Sequence, residues 1–403
     1  MSPPGWPDFP TPLTRNEAEW YIRLIKFLKV INRIWKDYLF VDKKIQIIAI
    51  VGAMAFSAFV LTSPSDPIPL PKPTSISESD SVSILAENLD NPRAIAVSDN
   101  RIFVTEKDGF IRVIQDENLL ESPLATFRPA NVFDGGLLGI ALHPDFSDNH
   151  YIYVFLTYEE NGNLWNKILR ITESENKLQD AETIFDKIPG SSFTNGGFIK
   201  FGPDEKLYVG TGTISDASHL PQDLDSLSGK ILRLNYDGTI PDDNPFSDSP
   251  VYSLGHRDPK GMTWDDNGNL FVAEFGPEKN DEINLIQAGK NYGWPEQQCS
   301  GNENFEGAIL CYDPSIEPGG ILFYSGDKLD FESPFIMASM RAANLYQVDF
   351  EEGLSSQKSI LSGIGRVRDV VQGPDGSLYV ITSNTDGKGF PDSMDDKLLR
   401  ILK

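Results

Sequence analysis

The sequence predicts an all-β fold, a six-bladed β-propeller, joined at its N-terminal side to an amphipathic helix and one transmembrane helix. Three observations predict it. From residue 81 onward one short motif keeps returning, helical periodicity is absent over the same stretch, and a single uncharged apolar run stands near the N-terminus, followed by alternating prolines. The chain has 403 residues, 40% of them hydrophobic, which supports a full core and excludes a disordered chain.

Residues 1–45 carry eight Lys/Arg against five acids, a net +3, which leaves −27 of the overall −24 on the remainder. Thr14 to Glu17 has the spacing of a capping box. Tyr21, Leu24, Ile25, Leu28, Ile31, Trp35, Tyr38 and Leu39 then recur at helical spacing, with Lys26, Lys29, Arg33 and Lys36 between them. Such a helix suits the inner leaflet of a membrane, its cations near anionic headgroups, or the surface of a partner protein. Residues 46–62 (QIIAIVGAMAFSAFVLT) hold no charge and reach the lower limit for a helical span. Lys43 and Lys44 before it and Asp66 after it put the N-terminus in the cytoplasm. A cleaved signal peptide fits less well, because 45 residues precede the apolar run. Over 63–80, Pro64, Pro67, Pro69, Pro71 and Pro73 favour an extended stalk. The acidic body, 81–403, is therefore expected outside the cytoplasm, where Cys299 and Cys311 would form one loop-closing disulfide. Its excess of carboxylates repels phosphate backbones and argues against nucleic-acid binding.

Within 81–403 a turn rich in Asp, Asn, Gly or Pro precedes a branched residue, an aromatic and usually Val. The copies are SDNRIFV (98–104), SDNHYIYV (147–154), GPDEKLYV (202–209), DDNGNLFV (265–272) and GPDGSLYV (373–380). Their aromatics, Phe103, Tyr153, Tyr208, Phe271 and Tyr379, are separated by 50, 55, 63 and 108 residues. The last gap is two periods, and the missing copy is expected at ILFY, 321–324. Six such periods, each a four-stranded blade, fill the body.

Loops that break this rhythm should gather at the channel mouth. NVFDGGLLGIALHPDF (131–146), LSGKILRLN, the GHR segment and DEINLIQAGKNYGWP stand out, together with SFTNGGFIKF and GIGRVRD. In this order they resemble the soluble quinoprotein sugar dehydrogenases, the glucose/sorbosone dehydrogenase family, over about 90–403. The resemblance implies pyrroloquinoline quinone (PQQ) across the channel mouth, held by calcium and by basic and amide side chains. It also implies a histidine base that takes the sugar hydroxyl proton, and an aspartate that orients it.

Carried over position by position, the base falls on Thr194 and its orienting partner on Thr213, so the resemblance implies a lost proton relay. Of the four histidines, His143, His150 and His256 read as structural, and His219 is the one candidate for a substitute base. The cofactor cradle maps onto Arg257, Arg341, Arg366 and Arg368, with Asp134 in place of a glutamine and Asp258 in place of an asparagine. Gly276, Pro277, Asp281, Glu282 and Tyr292 match the calcium segment, with Phe275 replacing a polar residue before it. The resemblance thus implies an oxidoreductase acting on a sugar or alcohol CH–OH group and passing electrons to an external acceptor. The alternatives are a non-catalytic propeller that binds an anionic ligand, glycan or protein, and a lactonase-type hydrolase, which the motif order disfavours.

Overall fold

The recurring aromatic motif is the second strand of each blade. Each of these strands, Arg101–Glu106, Tyr151–Glu160, Leu207–Thr211, Leu270–Glu274, Phe335–Ser339 and Leu378–Thr382, pairs antiparallel with an innermost strand. The computed structural model describes residues 82–214, 219–350 and 356–402. The amphipathic segment, the apolar span and the stalk lie outside the described residues, among which no helix is long and apolar enough to cross a membrane.

Side chains alternate across a strand, so Leu-Tyr-Val sends its aromatic to one face and its branched neighbours to the other. This alternation builds the ring. Ile102 and Val104 pack with the last blade, whereas Phe103 packs with the second. Ile152 and Val154 face the first blade and Tyr153 the third; Leu207 and Val209 face the second and Tyr208 the fourth. Leu378 and Val380 face the fifth blade and Tyr379 the first. The six hydrophobic clusters are therefore the six interfaces between blades, and each fully buried side chain stabilises one by roughly 1.5–3 kcal/mol.

The decayed copy is not at 321–324. Ile321 to Phe323 belong to the innermost strand of blade 5, Pro318–Phe323, and the equivalent second strand is Phe335–Ser339. The Pro318–Ser339 and Ile321–Met337 pairs match Val367–Thr382 and Val370–Val380 of blade 6, which sets Ile336 at the Tyr379 position. Ile336 duly packs towards blade 6. The preceding segment, LDFESP at 329–334, lacks the Gly or Asn of the other turns.

Closure joins the two ends of the propeller. Val82–Ala86 forms the outermost strand of blade 6, paired with Leu398–Ile401. The innermost strands then contact one another in order round the ring, including the last against the first.

Candidate active site

Every innermost strand begins with a shift in register, between Pro92 and Ala94, Leu137 and Ile140, Gly196 and Ile199, Pro259 and Gly261, Pro318 and Ile321, and Val367 and Asp369. Such bulges re-aim the extra residue. In three blades that residue is a cation, Arg93, Lys260 or Arg368, and all three line the channel. The other three bulges contain glycine, because the neighbouring strand is too close for a side chain. A Cβ on Gly139 would stand 2.2 Å from the Gly197 carbonyl oxygen, and one on Gly319 2.0 Å from that of Arg368.

Above the bulges lies a cavity of about 440 Å³. All six residues expected to hold the cofactor line it, Asp134, Arg257, Asp258, Arg341, Arg366 and Arg368, and Thr194 lines it too. Arg93, Lys260, Lys388, Glu317 and Asp386 join them, making seven cations against four carboxylates among the described residues, a net +3. On the rim Phe133 and Phe193 are 59% and 64% exposed, with ring centroids 5.2 Å apart.

The charges form two networks. In one, Asp134 receives Arg93 Nη2 at 3.0 Å and Lys260 Nζ at 2.8 Å, and Lys260 also reaches Asp258 Oδ1 at 3.0 Å. Burial opposes ionisation of Asp134, but Lys260 and Arg93 overcome it and hold the carboxyl at about 2. Burial, reinforced by Asp134 and opposed by Lys260, pushes Asp258 up to about 6. In the other network Glu317 takes Arg341 and Arg366 at 2.8 Å each, with Lys388 at 3.6 Å, and Arg366 Nε donates to Asp386 at 2.8 Å. Burial raises the Glu317 carboxyl, yet Arg366, Lys388 and Arg341 bring it down to about 2. Arg368 donates Nε to Ser383 Oγ at 2.9 Å, and burial together with Arg93 lowers it to about 10.

Thr194 and Thr213 meet, as the expected base and its partner should. Thr194 Oγ1 donates to the Thr213 carbonyl, and the Thr213 N–H donates to Arg257 O at 2.8 Å. No histidine lines the cavity. His256 is fully buried between Ser253 and Glu274 and stacks on Tyr292; His143 packs among Tyr151, Tyr153, Phe201 and Tyr236; His150 faces Glu173 at 3.4 Å. His219 begins the short 3₁₀ turn Leu220–Gln222.

The calcium segment is not brought together as a metal site. Asp281 accepts hydrogen bonds from Gly276 N–H on one oxygen and from Ser315, Ile316 and Glu317 on the other. Glu282 accepts from Cys299 N–H and Asn284, and Tyr292 donates to Leu285 O. The Gly276 carbonyl accepts from Arg257 Nη1 at 2.8 Å, and Pro277 lines the cavity. Among the described residues no three His, Cys, Asp or Glu side chains stand close enough to hold a metal ion. The Asp281, Glu282 and Tyr292 oxygens are therefore taken up by protein partners in this arrangement. Cys299 and Cys311 do form a disulfide, which ties the loop after Trp294 to the outer strand Leu310–Tyr312.

The glucose/sorbosone dehydrogenase family model matches residues 89–400. The chain belongs to that family. It is 34% identical to quinoprotein glucose dehydrogenase B of Acinetobacter calcoaceticus, over 85% of this chain and 93% of the relative, and 31% identical to an aldose sugar dehydrogenase of Escherichia coli, over 76% and 91%. The solved PQQ-bound aldose sugar dehydrogenase of Streptomyces coelicolor superposes with a TM-score of 0.72 at 34% identity, covering 82% of this chain and 99% of that one.

Five charged residues of this family member's cavity escaped the sequence reading: Arg93, Lys260, Glu317, Asp386 and Lys388. For three of them a signal existed. Asn91-Pro92-Arg93, Asp258-Pro259-Lys260 and Glu317-Pro318-Gly319 all set a polar residue before a proline that opens an innermost strand. Proline is tolerated at a strand's first residue, and beside it here Arg93, Asp258, Lys260 and Glu317 reach the cavity. Asp386 and Lys388 sit in a loop without such a signature.

Proposed function

We propose that this family member is a PQQ-dependent dehydrogenase of sugars or related alcohols, anchored by residues 46–62 with the propeller outside the cytoplasm and yielding electrons to an external acceptor. The observation that carries the reading is the cavity charge. A net +3 among the described lining residues, in a chain of net −24, suits the three carboxylates of PQQ. Bound there, the quinone supplies a two-electron acceptor for hydride. The chain's own residues bind and shield. Arg341, Arg366 and Arg368 offer guanidinium donors to carboxylates, and Phe133 and Phe193 offer apolar faces to a sugar at the rim.

One observation favours a second reading. Thr194 and Thr213 bond to each other where the family resemblance implies a base and its orienter, so the propeller could serve as a non-catalytic receptor for an anionic ligand. Calorimetric titration of the full chain with PQQ, with and without calcium, separates the two. The proposal expects one-to-one binding that needs no calcium and weakens about 10–100-fold in Arg368→Gln, the loss of a charge-assisted hydrogen bond. A folded chain that binds no quinone under either condition belongs to the second reading.

A further inference from the structure

A dehydrogenation here needs a proton acceptor. No histidine lines the cavity, and the Thr194 hydroxyl has no useful basicity. Among the described residues four carboxylates line the cavity, and three are clamped by cations: Asp134 by Arg93 and Lys260, Glu317 by Arg341 and Arg366, Asp386 by Arg366. Asp258 is different. Its Oδ1 accepts from the Gly196 N–H at 2.9 Å and from Lys260 at 3.0 Å, and this fixes the carboxylate beside the Thr194–Gly196 turn. Among the described residues its Oδ2 has no hydrogen-bond partner, although the residue lines the cavity and the oxygen itself is buried in the wall. A buried carboxylate oxygen without a donor is costly unless something else uses it.

We propose that Asp258 Oδ2 is the general base of this site, in place of the missing imidazole. The inference rests on the quinoprotein reading above. In the step, Oδ2 takes the proton of the substrate hydroxyl while the hydrogen on the same carbon leaves with its electron pair to the quinone. The C–OH group becomes C=O. The proton held on Asp258 is then passed on, which completes the two-electron, two-proton reduction of the quinone to the quinol.

The surroundings tune Asp258 for this task. Burial and the Asp134 charge favour its neutral form; Lys260, at the start of the strand that follows, and the adjoining Arg257 favour the ionised form, and the balance lies at about 6. Above that pH the carboxylate is ionised and still a stronger base than an ordinary aspartate.

Two measurements on the full chain test it, and one does not depend on turnover. Ionised Asp258 repels a polyanion, so quinone affinity should fall several-fold as pH rises through about 6. In Asp258→Asn the affinity should be at least as tight and that inflection should vanish. With quinone bound, Asp258→Asn should lose about 10²–10⁴-fold in kcat for sugar-dependent dye reduction, and Asp258→Glu should recover part of it. An Asp258→Asn enzyme with unchanged kcat and pH profile overturns the base while leaving the dehydrogenase reading intact. So does a wild-type affinity profile without the inflection, a measurement that needs no variant. A wild-type chain that binds quinone but turns over no sugar or alcohol also overturns it. Absence of quinone binding at every pH overturns the underlying reading and the base with it.

Discussion

Lys260 Nζ stands 2.8 Å from Asp134 Oδ2, and the same ammonium lies 3.0 Å from Asp258 Oδ1. These two aspartates occupy positions where the family resemblance leads one to expect a glutamine and an asparagine. Two added negative charges beside a site for a polyanion would be self-defeating. Lys260 offsets one of them, and Arg93 contributes a second cation to Asp134 at 3.0 Å. The bridge also crosses the channel, from the entry of blade 4 to the loop before blade 2.

Removing the lysine should therefore leave two buried carboxylates facing each other. Lys260→Met is expected to destabilise the fold by about 3–5 kcal/mol, the cost of breaking a buried ion pair from one side. Adding Asp134→Gln and Asp258→Asn to Lys260→Met should recover part of that loss, because both carboxylates are then gone, although Arg93 loses its anionic partner. Urea unfolding of the single and triple variants measures both quantities, and equal stabilities would mean the bridge is energetically idle.

Buried acids also set the pH dependence of stability, in two opposite windows. Burial raises Asp369 to about 7, and burial with the Glu274 charge raises Glu282 to about 7. Between about pH 4 and 7 the native state thus holds more protons than the unfolded chain, and stability falls as pH rises. Glu317 and Asp134, both held at about 2, act the other way. Their contribution is present above about pH 4 and is lost as pH falls towards 2. Unfolding midpoints should accordingly peak near pH 4–5 and drop by pH 8. Asp369→Asn should flatten the drop between pH 5 and 8, because Asn cannot ionise. Self-repulsion of the −24 net charge acts in the same direction, so the difference in slope between variant and wild type is the quantity to read.

How far the sequence revealed this molecule depends on the length scale of the signal. The blades were legible because strand alternation writes each interface into three consecutive residues, as in Leu378-Tyr379-Val380. Blade 5 was misplaced where Phe335-Ile336-Met337 carries the same packing with the aromatic moved by one residue. The cradle arginines were legible through the family motifs, and the cavity indeed gathers Arg257, Arg341, Arg366 and Arg368. What the sequence hid was partnership. Asp134 and Lys260 are 126 residues apart, and only ring closure with bulged strand entries aims them at each other. The hydrogen bonds of the calcium segment were hidden as well. DEINLIQAGKNYGWP looks like a ligand run, yet Asp281 and Glu282 spend their oxygens on backbone N–H groups and polar side chains of their own neighbourhood.

The last prediction concerns the threonine pair. Thr194 and Thr213 are already in contact, and Thr194 faces the cavity, so Thr194→His with Thr213→Asp should place an imidazole at the cavity wall with a carboxylate behind it. A restored base is worth about 10²–10⁴-fold in rate where none operates. The gain in sugar-dependent dye reduction should therefore be modest in the wild-type background, where Asp258 serves, and large when combined with Asp258→Asn. The single change Thr194→His should achieve less, because an imidazole without an orienting partner samples the wrong tautomer and geometry. Steady-state rates decide it, compared among five quinone-loaded proteins: wild type, Asp258→Asn, the single, the double, and the double combined with Asp258→Asn. If the histidine–aspartate pair gives no gain in a folded Asp258→Asn chain that still binds quinone, the substrate hydroxyl does not approach the Thr194 wall, and this assignment of the base position is wrong.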